Sequence, residues 1–152
     1  MMNRNKIIIS CGGTGGHIFP AIEIAKACKA INPDLDLLFV GAINRMEMRR
    51  VPKAGFPIIG IWVQAFYRQS ILKNLLFPIK LFISFIHSFL ILLYHRPAVV
   101  IGTGGFVTGP LLFVASMLSC KTYIQEQNCL PGLTNRLLGK MVNKIFVAHN
   151  DM

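Results

Sequence analysis

The chain has 152 residues, enough for one domain with a real core, and nothing in it suggests two. Its formal net charge is +10, yet only 14% of residues are charged and 53% are hydrophobic, which excludes a disordered basic tail and departs from an ordinary soluble surface. No Asp or Glu lies between Met48 and Gln125, whereas Arg49, Arg50, Lys53, Arg68, Lys73, Lys80, Arg96 and Lys121 do, and a basic, apolar surface suits an anionic membrane face better than nucleic acid.

Met-Met-Asn-Arg-Asn-Lys leads directly into a strand pattern without a signal-peptide apolar stretch, so the protein is expected on the cytoplasmic side. Lys6 to Ser10 is short, β-branched and apolar, as in a strand buried on both faces of a parallel sheet. A glycine-rich turn follows, Cys11-Gly12-Gly13-Thr14-Gly15-Gly16-His17-Ile18-Phe19-Pro20. Behind it Ile18, Ala21, Ile22, Ala25 and Cys28 recur at helical spacing, with Glu23, Lys26 and Lys29 on the other face. Strand, tight loop and helix N-terminus together make a site for an anion, a phosphate above all, because unpaired N–H groups and the positive dipole end converge there. The spacing is wrong for a dinucleotide fingerprint, since Ile18 stands where the third glycine would fall, and the Lys-Ser/Thr pair of a phosphate loop is absent.

Asn32-Pro33-Asp34 stops that helix, and Leu37 to Gly41 reads as a second strand. Asn44 to Val51 is a short helical candidate. Phe56 to Val63 reads as a third strand with Pro57 near its start and Trp62 expected in the core, while Phe66 and Tyr67 suit core or rim. The segment Ile71 to Tyr94 is the most apolar, but its uninterrupted part, Leu81 to Tyr94, falls short of the roughly 20 residues of a membrane span. Pro78 fits the first turn of a long helix, with Ile71 to Phe77 separate from it. Leu75, Leu76, Phe77, Ile79 and Phe82, flanked by Lys73 and Lys80, then form a shallow membrane-docking patch, and Ile83 to Leu93 is expected to pack on the sheet as a crossover helix.

Ala98 to Gly102 is a fourth strand running into a second glycine turn, Gly102-Thr103-Gly104-Gly105-Phe106-Val107-Thr108-Gly109-Pro110, with Thr108 a candidate cap for a helix over Leu111 to Leu118. In a doubly wound sheet of order 3-2-1-4-5 the two glycine turns meet at the switch-point crevice. Two such turns aimed at one cleft are hard to explain as packing. Thr122 to Gln125 is a fifth strand ending in the polar Glu126-Gln127-Asn128, a helix with Leu133, Leu137, Leu138 and Met141 on one face follows, and Lys144 to Ala148 reads as a sixth strand. Cys11, Cys28, Cys120 and Cys129 have neither Cys-x-x-Cys nor zinc-finger spacing, so they read as buried free thiols, and neither metal nor cofactor is expected.

Gly12 to Pro20, Arg45-Met46-Glu47, Gly104 to Pro110, and Glu126-Gln127-Asn128 followed by Gly132-Leu133-Thr134-Asn135 resemble, in order, the motifs of the MurG family of peptidoglycan N-acetylglucosaminyltransferases. The resemblance spans the family's N-terminal half, so residues 1–152 are expected to form the acceptor-binding Rossmann-like domain of a GT-B glycosyltransferase, with a C-terminal donor-binding domain supplied in cis or in trans. It implies inverting, metal-independent transfer of GlcNAc from UDP-GlcNAc to lipid I, the membrane-anchored muramyl-pentapeptide diphosphate, as a peripheral protein on the cytoplasmic face of the bacterial inner membrane. Carried over by residue, Thr14, Gly15, Gly16 and Asn128 are donor-contacting, and Gly13, Gly104, Gly105 and Thr108 cradle the acceptor diphosphate. His17 resembles the general base, and a helix N-terminus disfavours imidazolium, although a histidine that only bonds the loop fits the same position. Glu126 suits three roles: orienting His17, orienting a sugar hydroxyl, or satisfying backbone donors. The isolated chain is expected to be inactive or nearly so. A different class, a non-catalytic membrane-recruiting subunit of a split GlcNAc transferase, fits the same motifs; a nucleic-acid module fits worst, having no motif of its own.

Overall fold

The structure, a computed structural model, describes residues 3–67 and 71–148, without the side chains of residues 3, 4, 71 and 73. Its elements run β1 (Asn3–Ser10), α1 (Gly15–Ile31), β2 (Asp36–Ala42), α2 (Glu47–Lys53), β3 (Ile58–Ile61), α3 (Ile71–Asn74), α4 (Phe77–His95), β4 (Pro97–Gly102), α5 (Thr108–Met117), β5 (Lys121–Glu126), α6 (Leu133–Leu138) and β6 (Lys144–Val147). The strands form one parallel sheet of order β3-β2-β1-β4-β5-β6, the doubly wound arrangement read from the sequence, with β6 extending it at one edge.

Period 2 along the central strand divides the core in two. Ile7 and Ile9 join Phe39, Val51 and the buried side of α1, namely Ile18, Ala21, Ile22 and Ala25. Ile8 points the other way, into a layer with Val40, Val100 and Ile124 that α5 closes with Leu111, Leu112 and Ala115. Covering both faces explains why β1 and β2 carry apolar runs where a half-exposed strand would alternate.

Several elements depart from expectation. β3 is shorter than Phe56 to Val63 and lies at the sheet edge, so Trp62 falls just past its end and is 39% exposed, with the Lys80 ammonium 5.2 Å from its ring centroid. It belongs to the rim, as do Phe66 and Tyr67, and not to the core. Helix α2 starts three residues later than Asn44, whose φ of 62° is left-handed and cannot continue a right-handed helix, and it runs on through Pro52. Thr108 is the first residue of α5 and does not cap it; its hydroxyl turns back to the Gly104 carbonyl at 2.9 Å. Cys11 and Cys120 are buried, but Cys28 is half-buried and Cys129 exposed, being on the loop after β5.

Helix α4 is longer than Leu81 to Tyr94 because Pro78 lies in its first turn, where a missing N–H costs nothing, so Ile79 and Lys80 are helical too. At 19 residues and mean hydropathy 1.8 it is long and apolar enough to cross a membrane by length and composition alone, and 17% of it is buried. Its buried seam is Ser84, Ser88 and Leu92, spaced i, i+4, i+8. The expectation that Ile83 to Leu93 packs on the sheet is therefore only half met, since Ile86, Phe89, Leu90 and Leu93 face outward. Helix α6 likewise buries Leu138 while leaving Leu133 and Leu137 exposed, and it ends before Met141, which is exposed in the following turn and does not share the helix face expected of it; Leu133, Leu137 and Met141 line an apolar groove of about 640 Å³ shared with Phe85 and Phe113.

Candidate active site at the two glycine loops

Parallel pairing of β1 with β4 brings their carboxyl ends together, Ser10 opposite Gly102, so the glycine loops that follow both strands touch. A Cβ on Gly105 would overlap the Gly12 carbonyl, and with φ +87° the position is doubly suited to glycine. The Thr103 N–H donates to the Ser10 carbonyl at 3.0 Å and the Thr103 hydroxyl to the His17 carbonyl at 2.7 Å, pinning the second loop to the start of α1.

His17, the third residue of α1, stands at this junction half-buried. Its Nδ1 lies 2.9 Å from the Thr103 carbonyl oxygen and 2.8 Å from the end of the Gln127 amide. Gly104 leaves room for the ring, which a Cβ there would strike at 2.7 Å. A carbonyl oxygen accepts only, so the Thr103 contact assigns the hydrogen to Nδ1 and leaves the lone pair on Nε2. That is the form a general base needs.

Thr14, Gly15 and Gly16 form the N-terminus of α1; the Thr14 carbonyl accepts the His17 and Ile18 amides, while its side chain makes no capping bond and is exposed. The Gly13 amide points elsewhere, toward the Glu47 carboxylate at 3.4 Å. Glu47 is fully buried, and its other oxygen accepts the Ala42 amide at 3.0 Å, so one carboxylate ties the end of β2, α2 and the first glycine loop together. Burial first, and the nearby Glu47 charge second, push the Cys11 thiol up to about 12, which keeps it protonated and inert.

Glu126 is buried at the end of β5 with both oxygens engaged: Oε1 accepts the Asn128 main-chain and side-chain N–H at 3.0 and 2.9 Å, and Oε2 accepts Asn135 Nδ2 at 2.8 Å and the Gly132 amide at 3.3 Å. Burial raises its pKa, but these hydrogen bonds outweigh burial and hold the carboxyl below its ordinary range. Among the described residues no hydrogen bond joins Glu126 to His17; of the three roles open to it, satisfying loop donors is the one its contacts fill. Asn128 is exposed beside it.

The docking-patch residues lie together on α4 and the turn before it. Leu75, Leu76, Ile79 and Phe82 are exposed, and Phe77 is half-buried against Phe66. Lys80 donates to Gln64 Oε1 at 2.7 Å, and the Lys73 side chain lies outside the described residues. Sequence reasoning gave no role to Glu47, Gln127 or Thr103. Glu47 carried a signal, a single acid in an arginine-rich stretch; Thr103 acts through its main-chain carbonyl, which no residue type announces.

A parallel α/β sheet with glycine loops at the carboxyl ends of β1 and β4 is the Rossmann-like fold found in the N-terminal half of GT-B glycosyltransferases. The profile of the glycosyltransferase family 28 N-terminal domain matches residues 7–147, and the chain belongs to that family. It is 50% identical over 151 residues to the UDP-N-acetylglucosamine--N-acetylmuramyl-(pentapeptide) pyrophosphoryl-undecaprenol N-acetylglucosamine transferase of Flavobacterium psychrophilum, covering 99% of this chain and 41% of the relative. The chain thus spans about two fifths of the length of the curated relatives it matches. The crystal structure of Acinetobacter baumannii MurG superposes with TM-score 0.85 at 26% identity, over 97% of this chain and 43% of that one. A UDP-N-acetylglucosamine 2-epimerase from Listeria monocytogenes, so named provisionally, shares the fold at TM-score 0.65 and 12% identity, covering 99% of this chain and 41% of that one, so the fold alone does not choose the reaction.

Proposed function

We propose that this chain is the acceptor- and membrane-binding half of an inverting, metal-independent N-acetylglucosaminyltransferase that transfers GlcNAc from UDP-GlcNAc to lipid I, giving lipid II for peptidoglycan. The observation that carries the reading is His17, whose Nδ1 lies 2.9 Å from the Thr103 carbonyl oxygen where the two glycine loops meet. His17 Nε2 takes the proton from the acceptor sugar 4-hydroxyl, the oxygen bonds to the anomeric carbon, and the bond to UDP breaks with inversion. Thr14, Gly15, Gly16 and Asn128 contact the donor; Gly104 and Gly105 cradle the acceptor diphosphate near helix N-termini, whose dipoles favour its charge, while Thr108, fully buried with its hydroxyl on the Gly104 carbonyl, holds that loop and does not reach the diphosphate. Gly13 supports the same loop through its bond to Glu47. Most of the donor grip belongs to a C-terminal domain in cis or trans, and the outer face of α4 rests on the cytoplasmic face of the inner membrane, where basic residues favour anionic lipid.

Calorimetry of the 152-residue chain with a soluble short-chain lipid I analogue, and separately with UDP-GlcNAc, tests the assignment. Acceptor binding with weak or absent donor binding is expected; donor binding without acceptor binding would overturn it. Replacing the equivalent of His17 by Ala in a full-length relative should abolish most turnover, and unchanged turnover would remove the base assignment.

A further inference from the structure

We propose that Gln127 is the positioning residue for His17: its side-chain carbonyl shares the Nδ1 proton with the Thr103 main-chain carbonyl, locking the ring as the Nδ1–H tautomer with Nε2 free. Two contacts converge on one nitrogen, Thr103 O at 2.9 Å and the Gln127 amide end at 2.8 Å. The first is unambiguous, because a carbonyl can only accept. With Gln127 Nε2 facing the ring, a donor meets a donor, and Gln127 Oε1 is buried without a partner among the described residues, so no bond to that oxygen holds the amide that way round. The two ends of a glutamine amide are nearly isosteric, and a half-turn places Oε1 on the Nδ1–H at the same separation. The alternative tautomer would set the Nδ1 lone pair against the Thr103 carbonyl oxygen at hydrogen-bond distance, which is repulsive.

The arrangement serves a base. Two carbonyl oxygens on Nδ1–H fix the ring plane and stabilise the imidazolium formed when Nε2 accepts a proton, a neutral counterpart of the carboxylate that orients histidine elsewhere. Gln127 reaches His17 from the loop after β5, so the tautomer depends on a segment 110 positions away in the chain.

The catalytic meaning rests on the proposed function, but the tautomer does not, and the test separates them. Nitrogen-15 long-range histidine spectra of the 152-residue chain, recorded where imidazole is neutral, should show for His17 a pyrrole-like Nδ1 and a pyridine-like Nε2. Gln127→Leu removes the carbonyl at similar volume and should move the tautomer ratio about fivefold toward Nε2–H, the equivalent of one hydrogen bond of about 1 kcal/mol. Gln127→Asn, too short to reach, should do the same, whereas Gln127→Glu restores an oxygen and the wild-type pattern. An Nε2–H spectrum in the wild type, or unchanged spectra in folded Gln127→Leu and Gln127→Asn, would overturn the inference. Loss of turnover with His17→Ala in a relative bears only on the base assignment.

Discussion

Glu47 shows how one side chain decides the shape of a loop. Its two oxygens accept the Ala42 amide in a buried site and the Gly13 amide in a partly buried one, and the Ala42 donor would be stranded without it. Glu47→Ala should therefore lower stability by at least about 1–3 kcal/mol, the cost of leaving the buried Ala42 N–H unsatisfied. Glu47→Gln should be only partly conservative, because its –NH₂ must face one of the two donors, and urea unfolding of both variants measures the difference. Glu126 makes a pH-dependent counterpart. Its folded pKa lies below the ordinary 4.5, so the stabilisation it supplies is complete above that value and is lost as pH falls through the depressed folded value. Acid unfolding monitored by circular dichroism should begin at higher pH in Glu126→Asp, which cannot span Asn128, Gly132 and Asn135 together, while Glu126→Gln should lose this part of the acid sensitivity.

At the scale of elements, α4 divides into a seam and an outer face whose substitutions should behave oppositely. Ser84 and Ser88 are fully buried, so Ser88→Phe should overpack the seam and cost about 1–3 kcal/mol. Phe82 and Leu90 are 67% and 55% exposed; Phe82→Ser with Leu90→Ser should change stability by no more than about 0.5 kcal/mol per site. The same pair should sharply weaken co-sedimentation with vesicles containing anionic lipid, and full retention of vesicle binding would remove the docking face. Apolar composition along Ile71 to Tyr94 was plain in the sequence. Which side of the helix turns inward was not, because two small serines and a single leucine make the seam and the expected period of bulky residues is broken.

Across the whole molecule, the parallel sheet order, the two glycine loops and their meeting were all legible from chain order, because a βαβ connection has one hand and a doubly wound sheet has one switch point. The buried stripe of α1 and the three isoleucines of β1 follow from period alone, which acts between near neighbours in the chain. What chain order left undecided is set by contacts between distant segments. Trp62 is exposed because β3 is an edge strand that ends before it, and Glu126 serves its own loop because four donors reach it first. The candidate site divides the same way. Chain order determined that two glycine loops would meet beside His17; only the tertiary structure decided what faces its Nδ1, since the Thr103 main-chain carbonyl and the Gln127 amide are brought up from the ends of two other strands.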